Sequence, residues 1–281
     1  MERQRVHVAF FILSKIQYVL LKMLRVALLL FFLLSGFVGM AQIRLTKLVL
    51  EKHEKYFIKG ADILVTDTLI MGDSSEIVLN PERKDNFIHS KTTIIGKGCI
   101  ISGVGISAKR GVDGVAGVDQ VGPCFLGRMG GNGSPGSSGQ SANNLFLYLT
   151  DLKITGSLTI NLNGGEGGDG GNGGRGGGGG PGTRVCAGGN GGDGGAGANG
   201  GNGGAGGTFS FQCKSCPLVR GLVNETLFIK NYGGFAGFGG EGGFGGSAGL
   251  GPINDGLNGR KGLNGKDGTE GKDGAIHFLS N

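Results

Sequence analysis

No stretch of this 281-residue chain keeps helical apolar periodicity over a useful length, which sets amphipathic helical folds aside. Nor does it hold an uninterrupted apolar run of the roughly 20 residues that a membrane helix needs. The nearest is 24–38, which Arg25 breaks near its start. No cysteine follows the small residues Gly39-Met40-Ala41, so a lipid-anchored lipoprotein is not expected. No nucleophile, base and orienter stand at a recognisable spacing, and no paired carboxylates form a motif, so catalysis finds no footing. His7, His53, His89 and His277 are scattered and Cys213/Cys216 is the one close cysteine pair, so no metal site is expected. No cofactor motif is present.

Residues 1–41 read as a secretory signal peptide: Arg3, Arg5, Lys15, Lys22 and Arg25 lead or open the apolar run, and small residues close it before Gln42. Met23 is a second possible start. Removing this segment leaves 22 basic and 20 acidic residues. The near-neutral remainder has no basic stripe for nucleic acid. A secreted or cell-surface location follows, with no stable membrane span in the mature chain.

Glycine is what the chain has in excess, with 65 residues. It is concentrated after residue 110, so the reading divides the mature chain into a β-rich part, 42–110, and a glycine-repeat part, 111–281. In the first part β-branched runs such as Ile63-Leu64-Val65, Thr68-Leu69-Ile70-Met71, Glu76-Ile77-Val78-Leu79, Thr93-Ile94-Ile95 and Cys99-Ile100-Ile101 are strand candidates. Thr68–Gly72 echoes Thr93–Gly96, a hint of stacked rungs, though a small sandwich would read alike. In the second part Gly-Gly-X triplets fill 164–181, 188–207 and 233–250. A one-glycine run fills 256–276. Short strand candidates lie between the runs: 145–149, 157–161, 208–211, 226–229 and 276–279.

Period three has a physical meaning. A polyproline-II-type helix has three residues per turn and no internal hydrogen bonds, so its backbone groups need outside partners. Two glycines per triplet open two sides to neighbouring backbones, and one glycine opens one. The three long runs are closely matched in length, as side-by-side packing requires. The expected fold is therefore all-β, short strands in a β-solenoid or sandwich interleaved with a polyglycine-II bundle. Two-glycine runs are expected inside it and 256–276 at its edge.

The Gly-Gly-X runs resemble the polyglycine-II bundles of snow-flea-type antifreeze proteins, of phage tail-tip adhesins and of mycobacterial PE-PGRS surface proteins. Gly-Gly-Asn-Gly-Gly-Asp-Gly-Gly-Ala at 188–196 is most similar to the last. Residues 256–276 resemble a collagen-like tract without proline. What these resemblances imply is conformation.

Candidate chemistry is sparse. Phe235, Phe238, Phe244 and Leu250 occupy one side of a three-fold helix. They are expected either to pack on the β layer as core or to form an exposed strip that binds a surface glycan or a protein. Glu166/Asp169 and Asn190/Asp193 stand at the opening of an RTX-type calcium spacing, but Gly171 and Gly195 fill its core position. Those carboxylates are expected to be solvated. Cys99, Cys124, Cys186, Cys213 and Cys216 should pair where geometry allows. A local Cys213–Cys216 bridge is favoured, and an odd thiol is left free or paired between chains. The expected role is an extracellular or cell-envelope structural or adhesive protein. The alternatives are a binder of ice or glycan and, remotely, a β-helix carbohydrate-active enzyme.

Overall fold

The computed structural model describes residues 42–216 and 219–279, so the signal-peptide reading of 1–41 lies outside the described residues. The fold is all-β. Among the described residues eleven strands form two sheets, and every pairing between them is parallel. Odd strands enter the larger sheet: β1 (Gln42–Leu50), β3 (Ile63–Met71), β5 (Asp85–Ile95), β7 (Asn144–Ile154), β9 (Phe209–Cys213) and β11 (Ile276–Phe278). Even strands enter the smaller: β2 (Lys55–Phe57), β4 (Glu76–Val78), β6 (Cys99–Ser102), β8 (Leu158–Asn161) and β10 (Leu227–Lys230). The chain thus visits the two sheets alternately. A four-residue helix, α1 (Val219–Leu222), precedes β10. Strands from 42–110 and from 111–281 share both sheets, and Gln42–Asn281 make one compact unit.

Stacking by register builds the core. Leu64, Ile88, Leu147 and Phe211 align across the larger sheet and all point inward. Ile77, Ile101 and Ile160 align across the smaller and face them. Each such side chain contributes about 1.5–3 kcal/mol through burial. On the solvent side Phe87 and Phe146 stack at 4.7 Å between ring centroids. Pairing skips Thr46, Asp67, Lys91 and Thr150, and the inward alternation of β3 shifts phase there. The echo between 68–72 and 93–96 has this origin, since Ile70 pairs with Ile94 and Met71 with Ile95.

Three long connections leave the smaller sheet and return to the larger, and these hold the glycine. Arms 1 (105–120) and 2 (127–142) join β6 to β7. Arms 3 (164–182) and 4 (188–207) join β8 to β9. Arms 5 (232–250) and 6 (254–274) join β10 to β11. Each pair is an antiparallel hairpin without β-ladder geometry. Gly131 N–H donates to Val115 O at 2.7 Å, Gly195 to Gly174 O at 2.8 Å and Gly259 to Gly246 O at 2.9 Å. Between hairpins, arms 1, 3 and 5 pair in parallel, as do arms 2, 4 and 6. For example, Gly111 N–H donates to Asp169 O at 2.7 Å, Gly170 to Phe238 O at 2.8 Å and Gly133 to Ala196 O at 2.9 Å. The result is two layers of three arms. Arms 3 and 4 each bond to four neighbours and arm 6 only to arms 4 and 5. Arm 5, though a two-glycine run, stands at the end of its layer, bonded to arms 3, 4 and 6.

Glycine is required where these backbones meet. A Cβ at Gly171 would overlap the Val112 carbonyl, and one at Gly262 would overlap that of Gly195. The base of the first hairpin is held by buried amides. Asn143 Nδ2 donates to the Asn80 and Arg83 carbonyls at 3.0 and 2.5 Å, and Asn86 Oδ1 accepts from Asn80 N–H at 2.8 Å.

Candidate functional site

A triplet offers three N–H groups, and the neighbouring backbones of the central arms take two of them. The third faces an outer surface and needs another acceptor. Short side chains of the adjacent arm supply it. On the face formed by arms 1, 3 and 5, Asp113 Oδ1 accepts from Asn172 N–H at 2.7 Å and Asp119 Oδ1 from Gly178 N–H at 2.6 Å. One arm further, Asp169 Oδ1 accepts from Phe238 N–H and Asn172 Oδ1 from Glu241 N–H, both at 2.8 Å. On the opposite face Asn190, Asp193, Asn199 and Asn202 serve arm 6 in the same way, with Asp193 accepting from Arg260 N–H at 2.7 Å. Asn264 and Asp267 do so at the edge, for Gly242 and Gly239 of arm 5.

This corrects the expectation that Asp169 and Asp193 are merely solvated. Each spends a carboxylate oxygen on a backbone donor. An unpaired amide costs more than an exposed carboxylate gains from a second water. Among the described residues no group of three or more His, Cys, Asp or Glu could hold a metal ion. The amide bond to Asn172 holds the Asp113 carboxyl below its usual range, and the nearby Arg110 guanidinium adds to this. The Gly178 amide, then the Arg175 charge, do the same for Asp119, with Arg175 Nη2 at 2.7 Å.

Bonded this way, the arms form a platform with rows of side chains at a three-residue period. The row on arm 5 is the candidate site. Phe235, Phe238, Phe244 and Leu250 are 69, 72, 68 and 73% exposed. The core alternative for this stripe is therefore overturned. The β layer lies along the chain from arm 5 rather than above it, and arms 3, 4 and 6 cover its other two sides. Glu241 and Ser247 interrupt the row. Lys261 Nζ from arm 6 sits 5.2 Å from the Phe244 ring centroid. Beside Phe235 and Phe238 runs a groove of about 700 Å³, bordered by Arg110, Glu166 and Asp169 on one side and by Asp267 and Glu270 on the other.

No family model matches the chain, and no curated protein matches it. Among solved structures it is similar to a springtail antifreeze protein from Granisotoma rainieri, described as a nine polyproline type II helical bundle. The identity is 26%, over 60% of this chain and 98% of that one, with a TM-score of 0.09.

The cysteines divide cleanly. Cys124 and Cys186 form a disulfide that ties the tip of the first hairpin to the tip of the second. Cys213 and Cys216 form a local bridge after β9. Cys99 is free and buried, with its Sγ 3.2 Å from the Gly72 carbonyl. Sequence reasoning named the aromatic row but missed the capping Asp and Asn residues. Their signal was present: Asn258, Asn264, Asp267 and Asp273 recur at the third position of the 256–276 triplets.

Proposed function

We propose that this chain is an extracellular or cell-envelope structural and adhesive protein, non-catalytic, whose arm-5 row is its binding strip. In this reading the alternating strands coil as a parallel β-solenoid, and the six arms are polyglycine-II helices packed as a slab on its side. The observation that carries it is the exposure of Phe235, Phe238, Phe244 and Leu250 on one line of a hydrogen-bonded platform. Aromatic faces held rigidly at about 9 Å per triplet can stack on successive sugars of an extended glycan at little entropic cost. The groove beside Phe235 and Phe238 adds carboxylates that can accept hydrogen bonds from sugar hydroxyls. Two disulfides agree with secretion into an oxidising compartment.

Ice is the weaker ligand. The face of small side chains on arm 4 has the regularity such binding needs, but its Asn and Asp oxygens are already engaged by arm-6 amides.

Glycan arrays and immobilised polysaccharides test the reading. The double variant Phe238→Ala/Phe244→Ala should lose binding by about tenfold or more while melting within about 2 °C of the parent, since both rings are already in water. Unchanged binding to every ligand the parent holds would remove the strip from the proposal.

A further inference from the structure

The far end of the arms carries a second set of exposed apolar side chains, unrelated to the arm-5 row. The three hairpin tips lie side by side: Cys124 N–H donates to Pro181 O at 2.8 Å, and Gly182 N–H to Leu250 O at 2.8 Å. The Cys124–Cys186 bridge locks the first two together. From these tips project Val121, Phe125, Leu126, Val185 and Ile253, with Val121 93% and Val185 89% exposed. A loop needs none of these for its own turn, and leaving them in water costs free energy.

The charge around them is also sorted. Arg175 and Asp119 pair with each other. Of the remaining ionic residues near the tips, Arg128, Arg184, Arg260 and Lys261 outnumber Asp193 and Asp255. Toward the β part the balance reverses, with Asp113, Glu166, Asp169, Glu241, Asp267, Glu270 and Asp273 set against Lys109, Arg110, Lys266 and Lys272.

We infer that the hairpin tips dock into the surface of an anionic lipid bilayer. Size separates this occupant from a protein. Three arms at about 4.8 Å spacing and two layers present an end on the order of a few hundred Å². A stable protein interface needs about 800 Å² on each side. Narrow, rigid, apolar tips ringed by cations instead suit insertion among lipid headgroups. The aliphatic and phenyl groups enter the acyl boundary, and the guanidinium groups stay with the phosphates. The inference goes beyond the proposed adhesive strip and does not depend on it.

The chain from Gln42 onward, with both disulfides formed, gives the test. It contains no tryptophan, so Phe125→Trp supplies a lone reporter. With vesicles of equal parts phosphatidylcholine and phosphatidylglycerol, its emission should shift to the blue and the protein should sediment with lipid. The variant Leu126→Asp/Val185→Asp should bind about tenfold more weakly or worse, and Ile106→Ala, at an exposed apolar position at the β end of arm 1, should bind as the parent does. No sedimentation with any vesicle would overturn the inference. Equal binding to pure phosphatidylcholine would overturn its anionic part. A self-association in solution that Val185→Asp abolishes would assign the tips to a second copy instead.

Discussion

Replacing Gly171 by alanine puts a methyl group where arms 1 and 3 touch. The new Cβ would overlap the Val112 carbonyl and press on the Asp113 nitrogen at 3.1 Å. Neither is the end of a flexible side chain. Arm 3 cannot retreat, because Gly171 N–H is bonded to Ser134 O and its own carbonyl accepts from Ala198, both at 2.9 Å. Relief requires arms 1 and 3 to part. That loosens the bonds from Gly111 to Asp169 and from Gly114 to Asn172, each 2.7 Å. Two such bonds at about 1 kcal/mol each and an overpacking cost of about 1–3 kcal/mol give a loss of about 3–5 kcal/mol. At about 2–4 °C per kcal/mol for a domain of this size, Tm should fall by about 6–20 °C. Gly178→Ala is the control in the same arm. Its Cβ would meet Ser247 Oγ at 3.3 Å and Asp119 Oδ1 at 3.5 Å, with the nearest backbone atom, Ser247 O, at an ordinary 3.8 Å on the open face. That exchange should be neutral or stabilise by up to about 1 kcal/mol. Paired thermal melts of the oxidised proteins decide the matter. Equal Tm values for the two variants would refute the claim that arm 3 packs backbone to backbone.

The tip disulfide closes a 62-residue separation, so Cys124→Ser/Cys186→Ser should cost about 4 kcal/mol on the chain-entropy account, read by urea denaturation with and without reductant. Asp113 and Asp119 have carboxyls lowered by amide and guanidinium partners. Their contribution is present above the unfolded carboxylate value of about 3.9 and is lost as pH falls through the lower folded value. Melting temperature should therefore drop on acidification below about pH 4, and Asp119→Asn should flatten that drop; a parent curve no steeper than the variant's would count against the caps. Asn143→Ala removes one of the two side-chain donors to the Asn80 and Arg83 carbonyls, which keep Asn86 Nδ2; losing two bonds at about 0.5–1.5 kcal/mol each should destabilise by about 1–3 kcal/mol in chemical denaturation.

Much of the strand content could be read from β-branched runs, because these mark pleated, half-buried surface whatever the topology. Two kinds of feature could not. Strands β1 and β2 carry Arg44, Lys47 and Lys55, and edge strands need charge on their exposed side, so their apolar signal is diluted. The facing of the arm-5 row was also hidden. Triplet phase shows that Phe235, Phe238, Phe244 and Leu250 share a side, but whether that side is covered depends on which arms pack against it. Arms 3, 4 and 6 bond to the two glycine sides of arm 5, so the row stays in water. The capping role of Asp169 and Asn172 was hidden for a related reason: the amides they serve belong to Phe238 and Glu241, far along the chain. Only the register brings them together.

That register is set in the sheets and carried outward. Cys99 N–H reaches Ser157 O beside the smaller sheet. The same offset recurs where Gly111 N–H reaches Asp169 O and, near the tip, where Gln120 N–H reaches Gly178 O. The offset of the bond from Leu158 N–H to Thr226 O likewise recurs from Gly167 and Phe235 to Gly182 and Leu250. On the return side, the offset of the bond from Leu145 N–H to Thr208 O is already present in that from Gly130 N–H to Asp193 O. A period of three leaves no slack in this arrangement. Shifting arm 3 by one residue would place Glu166 or Asp169 where Gly167 and Gly170 now leave room for the arm-4 carbonyls of Gly201 and Ala198. Asn172 and Arg175 would meet the same conflict in the next two triplets. The strands therefore act as the ruler for glycine runs that could not choose their own phase, since glycine alone resists order at about 1–2 kcal/mol per residue. Each hairpin in turn covers the open edge left by the one before it. The aromatic row and the apolar tips are the surfaces that no arm of this stack covers.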